Sequence, residues 1–182
     1  MLKRIIGLHR VMSEREFMIS LVGAFIGTAI ASFVSSVILE ADDMPMILAS
    51  TGASAILLFS FPFSPVSQPW NLVGGHLVSA FVGMSCYFLV PNELLAASLS
   101  IPMAMLFMHQ LHCMHPPGGA TAITAVVGGA SVHSLGYAFV IIPVFLNAII
   151  LLSIAMAIAS LREENPFEVK NETDEELEII EE

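Results

Sequence analysis

Gly52-Ala53-Ser54-Ala55-Ile56 returns in the second half of the chain as Gly119-Ala120-Thr121-Ala122-Ile123, with Thr121 in the place of Ser54. Each copy lies in a short apolar segment, residues 46–61 and residues 118–132, and each short segment sits between two longer ones. The longer segments are residues 17–39, 72–90, 94–111 and 135–160. A membrane-spanning helix needs about 20 apolar residues. The long segments are therefore predicted spans, and the short ones, broken near their starts by small and polar residues, are predicted to be interrupted. The chain reads as long-short-long, twice: an all-α polytopic membrane protein made of two helical triplets related as an internal repeat.

Composition agrees with this reading. Of the 182 residues 56% are hydrophobic and 12% charged, and the mean hydropathy is +0.83; soluble domains average about 45–50% apolar and about 25% charged. A soluble globular domain is excluded. No charged residue lies between Asp43 and Glu93, or between Glu93 and Arg162. The sequence divides into a basic N-terminal segment (1–16), a membrane domain (17–160) and an acidic tail (161–182). The tail holds ten acids and two bases, most of the net charge of −10, and such a run is expected to be solvated and disordered. Nucleic-acid binding has no basic patch to support it. Cys86 and Cys113 both fall in apolar segments, so they form no disulfide framework. The first apolar segment ends at Leu39-Glu40 without a small-residue cleavage pattern, and is read as a retained helix rather than a signal peptide.

All six Lys and Arg lie in the terminal segments, at positions 3, 4, 10, 15, 162 and 170. The positive-inside rule then puts both termini in the cytoplasm, which requires an even number of crossings. Six membrane elements with two broken or half helices would relate the triplets by inverted topology, as in many transporters. Four spans plus two re-entrant segments is the alternative, and the six-element arrangement is preferred.

An interrupted segment in a membrane is tolerated where it is buried in protein or lines a polar cavity. In Leu48-Ala49-Ser50-Thr51-Gly52-Ala53-Ser54 the small residues suit an extended approach to a helix starting near Gly52. In His115-Pro116-Pro117-Gly118-Gly119-Ala120-Thr121 the prolines stop one helix and suit the first turn of the next. A helix start offers free N–H groups and partial positive charge, so two facing starts would bind a small anion without Lys or Arg. Gly52, Ala53, Gly118, Gly119 and Ala120 would give backbone donors, and Ser54 and Thr121 hydroxyls. The plainer reading is tight helix packing by small residues, and that reading is preferred for Gly23 and Gly27 in the first helix.

His109, His112 and His115 recur every third residue, with His76 and His133 elsewhere in the apolar body. Beside Met108, Cys113 and Met114 they offer soft ligands for copper or zinc, but the spacing matches no standard closed zinc site. Structural bridging by some and proton coupling by another is preferred, with His115 and His76 as the leading choices. The proline-broken loop of residues 61–71 adds Gln68 and Asn71 as donors and Trp70 as an interfacial anchor. No nucleophile–base pair, phosphate loop or paired acids occur in the core. An enzyme is disfavoured, and no cofactor or resident metal is expected.

Several of these residues carry a resemblance. His115-Pro116-Pro117 with Gly119-Ala120-Thr121-Ala122, joined by Gly52-Ala53-Ser54-Ala55, Ser64-Pro65, Gln68-Pro69, Asn71 and Gly74-Gly75-His76, is similar to the HPP family of integral membrane proteins over residues 17–160. Plant and cyanobacterial members are nitrite transporters, so the resemblance implies a carrier or channel for a small inorganic anion. It departs from the family pattern at Trp70, where Arg is usual, and at Gly118, where Ala is common. The expected setting is multi-pass, in contact with membrane lipid in a prokaryotic cell membrane, and a homo-oligomer is expected because so small a bundle leaves little protein around a central site.

Overall fold

The computed structural model describes residues 12–167. Lys3, Arg4, Arg10 and the acidic tail from residue 168 onward lie outside the described residues, and with them the expectation of a disordered tail. Six helical elements follow one another: α1 (Glu14–Ile38), α2 (Met44–Ser60), α3 (Pro69–Leu89), α4 (Glu93–Gln110), α5 (Gly118–Val127) and α6 (Ala130–Ala159). No sheet occurs among the described residues. Three elements, α1, α3 and α6, are long and apolar enough to cross a membrane.

Local chemistry sets most boundaries. Ser13 caps α1 by accepting from the Glu16 N–H, and Asn92 caps α4 by accepting from the Leu95 N–H at 2.9 Å, the standard way to satisfy a first-turn donor. Pro45 and Pro69 stand in the first turns of α2 and α3, where the missing N–H costs nothing. α3 ends just before Pro91, and α5 ends before the Gly128–Gly129 pair. Gly129 has φ of +90°, a conformation that side chains disfavour.

α1 shows how the elements pack. Its buried residues are Glu16, Ser20, Gly23, Gly27, Ala31 and Ser35, while Phe17, Phe25, Phe33 and Val37 stay exposed. A narrow seam of small residues against the bundle, with large apolar groups outside, is the pattern expected when lipid covers the outer face. Gly23 and Gly27 face Phe59, with Ile158 and Leu151 of α6 beside them, so their packing role is what the structure has.

Successive elements alternate in direction. At one end of the bundle the start of α1, the end of α2 and the chain after α6 meet: Arg162 binds Glu16, Ser20 and the Phe59 carbonyl, and Ser13 donates to Glu163. At the other end Asp43, before α2, binds Ser131 at the start of α6. α2 therefore runs opposite to α1, and so does α6.

Two expectations are corrected. α2 is one unbroken helix, so Gly52 lies in its middle and starts nothing. The reason is local: Thr51 Oγ1 donates back to the Ile47 carbonyl, and Ser54 Oγ finds partners on neighbouring elements, so these polar side chains are served without a break in the helix. The last element also begins at Ala130 rather than near Leu135, and it leaves the helical region twice, at Gly136 with φ of +53° and ψ of −134° and at Ile142 with φ of −130° and ψ of 111°. The second short element matches its reading better, with a non-helical approach at residues 111–117 and a helix from Gly118.

Candidate functional site

The buried polar centre lies where α2, α3 and α5 meet. α3 comes unusually close to the 113–122 stretch. A β-carbon added at Gly75 would meet the His115 β-carbon, and one at Gly83 would meet the Ala122 carbonyl. This closeness sets the imidazole of His76, one residue after Gly75, edge-on to that of His115, with ring centroids 4.9 Å apart.

Hydroxyls from both copies of the five-residue motif bracket His76. Ser54 Oγ of α2 is 2.7 Å from its Nε2, and Thr121 Oγ1 of α5 is 2.7 Å from its Nδ1. Ser54 Oγ also lies 3.1 Å from His115 Nε2, and His115 Nδ1 lies 2.8 Å from the Val66 carbonyl. Thr121 Oγ1 continues to Ser50 Oγ at 2.6 Å, and Ser50 lies 3.4 Å from the Pro117 carbonyl. Ser50, Ser54, Thr121 and His115 are at most 1% exposed, and His76 is 5% exposed. No buried side-chain polar atom among the described residues lacks a partner.

The remaining sequence candidates fall elsewhere. Gln68 donates to the carbonyls of Pro62 and Ser64, and Asn71 to that of Met114 at 2.9 Å, so both brace loops. Ala53 is exposed, and beside Gly52 and Gly119 a β-carbon would find open space. The first-turn donors of α5 are taken: Gly118 N–H bonds to the His115 carbonyl, Gly119 N–H to Pro116, and Ala120 and Thr121 N–H to Pro117. The expectation of two facing helix starts with free N–H groups is thus corrected twice, since one start is absent and the other is already paired through the tight turn that the two prolines impose.

The histidine stripe does not gather. His109 and His112 are exposed while His115 is buried, because the chain turns between them at His112, which has φ of +52°. Among the described residues no three His, Cys, Asp or Glu side chains are grouped to share a metal ion. His133 stacks on Tyr87 at 3.8 Å and bonds to the Val126 carbonyl. Trp70 is exposed and donates to the Leu111 carbonyl. Sequence reasoning missed Ser50 and the Val66 carbonyl. Ser50 could have been found, since it precedes Ser54 by four positions and shares its helix face. A backbone carbonyl leaves no such signal.

The family model for the HPP transmembrane region matches residues 9–167. The chain belongs to the HPP family. It is similar to two transmembrane proteins of Dictyostelium discoideum, one 34% identical over 143 residues (72% of this chain, 50% of the relative) and one 30% identical over 154 residues (82% and 49%). This HPP protein spans about half the length of these curated relatives. No solved structure matches it. It is an integral multi-pass membrane protein, and the buried cluster of His76, His115, Ser54, Thr121 and Ser50 lies inside its family region.

Proposed function

We propose that this HPP protein is a transporter, not an enzyme, that moves a small monovalent anion across the membrane, with nitrite the substrate that the family resemblance suggests. The observation that carries the reading is the convergence of two imidazoles and three hydroxyls, from segments that hold both copies of the five-residue motif, in a buried centre where no Lys or Arg among the described residues bonds to them. Several neutral or singly charged donors hold a monovalent ion weakly enough to release it, as conduction requires.

The donors in this proposal are side chains, because the backbone donors of α5 are already used. The cluster is closed in the structure. The adjoining cavity, lined by Ser50, Thr51, His76 and Asn147 among others, has a volume of about 10 Å³, room for one water and not for nitrite. On this proposal substrate entry requires α2 and α5 to part, the behaviour of an alternating-access carrier. Six crossings, both termini in the cytoplasm and a homo-oligomer complete the proposal; the paired ends of α1 and α6 and the outward-facing side of α4 support them.

The test is uptake by purified protein in liposomes, comparing nitrite, nitrate, chloride, formate, copper and zinc at two pH values. Nitrite or another monovalent anion is expected to enter above the protein-free level, and Thr121→Val to lower the flux about tenfold or more, since one hydrogen bond to a charged acceptor is worth about 1.5–3 kcal/mol. Uptake of copper or zinc alone, or of no ion, would overturn the reading.

A further inference from the structure

The hydrogen positions in the buried cluster are fixed by a single atom. The Val66 carbonyl can only accept, so His115 Nδ1 carries a hydrogen and donates to it at 2.8 Å. With His115 neutral, its Nε2 is an acceptor, and Ser54 is the neighbour that can donate to it, at 3.1 Å. If Ser54 donated instead to the Ser50 carbonyl, the buried Nε2 would be left unpaired, which is costly. Since the one hydrogen of Ser54 is spent on His115, the 2.7 Å contact with His76 Nε2 needs that nitrogen to donate. His76 Nδ1 then accepts from Thr121, and Thr121 accepts from Ser50. Every donor points the same way, and the two rings hold opposite tautomers.

The opposite direction is equally complete with one more proton. A second carbonyl, that of Pro117, lies 3.4 Å from Ser50 at the far end of the chain. If a proton arrives at Ser50, the hydrogen of Ser50 passes to Thr121, that of Thr121 to His76 Nδ1, that of His76 Nε2 to Ser54, and that of Ser54 to His115 Nε2. Each atom gives one proton and receives one, until the charge rests on His115. Ser50 then donates to Pro117, Thr121 to Ser50, His76 Nδ1 to Thr121, Ser54 to His76 Nε2, and His115 Nε2 to Ser54. The cavity beside Ser50 and His76 has room for one water, enough to hand a proton to Ser50.

We propose that Ser50, Thr121, His76, Ser54 and His115 form a single-proton relay that reverses as a unit and stores the proton on His115. The surroundings leave the store to this chain. Of the titratable groups on the elements around it, Glu16 and Arg162 pair with each other, Asp43 binds Ser131 and His133 binds the Val126 carbonyl. Glu93, Cys86, Tyr87, His109 and Cys113 make no hydrogen bond to either ring among the described contacts. Each ring faces the other, so one charge is accepted and a second is repelled. The inference stands apart from the anion reading, because no anion takes part in its test.

The test is solid-state ¹⁵N spectroscopy of histidine-labelled full-length protein in lipid bilayers across a pH titration. The rings are assigned by labelling the preceding Gly75 or Met114 in a His109→Gln background, His109 being exposed. Near neutral pH His115 is expected to be protonated on Nδ1 only and His76 on Nε2 only. On acidification His115 gains its second proton and His76 switches to Nδ1 at the same midpoint. Ser54→Ala is expected to leave His115 titrating and to uncouple the switch of His76. The same tautomer on both rings, a His76 that stays unchanged while His115 titrates, a doubly protonated His76, or no change before the protein unfolds would each overturn the proposal; should Ser54→Ala fail to fold, the unsubstituted protein decides it alone.

Discussion

At the scale of single residues, the glycines divide by what faces them. A β-carbon at Gly83 would collide with the Ala122 carbonyl, which cannot move without shifting α5. Gly83→Ala is therefore expected to destabilise the protein by about 1–3 kcal/mol, the usual effect of overpacking. Gly52 sits mid-helix with open space beside it, so Gly52→Ala is expected to stabilise by about 0.5–1 kcal/mol through the better helix former. Thermal unfolding of both variants in one detergent checks the pair, and equal effects would refute it. The sequence drew attention to Gly52 and Gly119 because they repeat, whereas the demand for glycine at 83 comes from a facing carbonyl that no local pattern announces. Ser54, Thr121, His76 and His115 were legible for the opposite reason: a polar side chain in an apolar segment must find a partner in protein, and these four found one another.

Elements are held in register by contacts at their ends. Asp43, in the turn before α2, accepts from the Ser131 N–H at 2.7 Å and from the Ser131 hydroxyl at 2.5 Å. The Ser131 hydroxyl, then its N–H, hold the Asp43 carboxyl below its ordinary value. A carboxylate with a depressed folded-state pKa stabilises the fold above its unfolded value, and that stability is lost as pH falls through the folded one. Asp43→Asn is accordingly expected to melt below the unsubstituted protein at neutral pH, with the difference closing as pH drops beneath the normal aspartate range. A gap independent of pH would show that shape, not charge, matters at this clasp. The number of elements and their alternation could be read from apolar segment lengths and the repeat. The continuity of α2 could not, because small polar residues look alike whether they break a helix or bond back onto it.

Across the whole molecule, the first and last elements are tied by Glu16 and Arg162, whose carboxylate and guanidinium meet at 2.6 Å with side chains mostly buried. Arg162 also holds Ser20 and the Phe59 carbonyl, so three elements depend on it. Arg162→Met leaves Glu16 buried without its partner and is expected to cost about 3–5 kcal/mol, while adding Glu16→Leu is expected to recover most of that loss; melting temperatures of the single and double variants decide. The charge pattern announced Arg162 only as a topogenic residue beyond the last helix, since the sequence cannot show which far-off acid returns to meet it. Labelling of single cysteines at Glu164 and Pro91, with Cys86 and Cys113 replaced by Ala, is expected to find them on opposite sides of the membrane; the same side for both would refute six crossings. The same tie has a consequence for chain order. Ser13 touches Glu163 at 3.0 Å, so a linker of a few residues can join those positions and the chain can be opened instead at the turn between α3 and α4. Such a circular permutant, refolded in detergent where no insertion machinery imposes an order, is expected to elute as the parent does, because the two triplets would keep their contacts with each other while exchanging their places in the sequence.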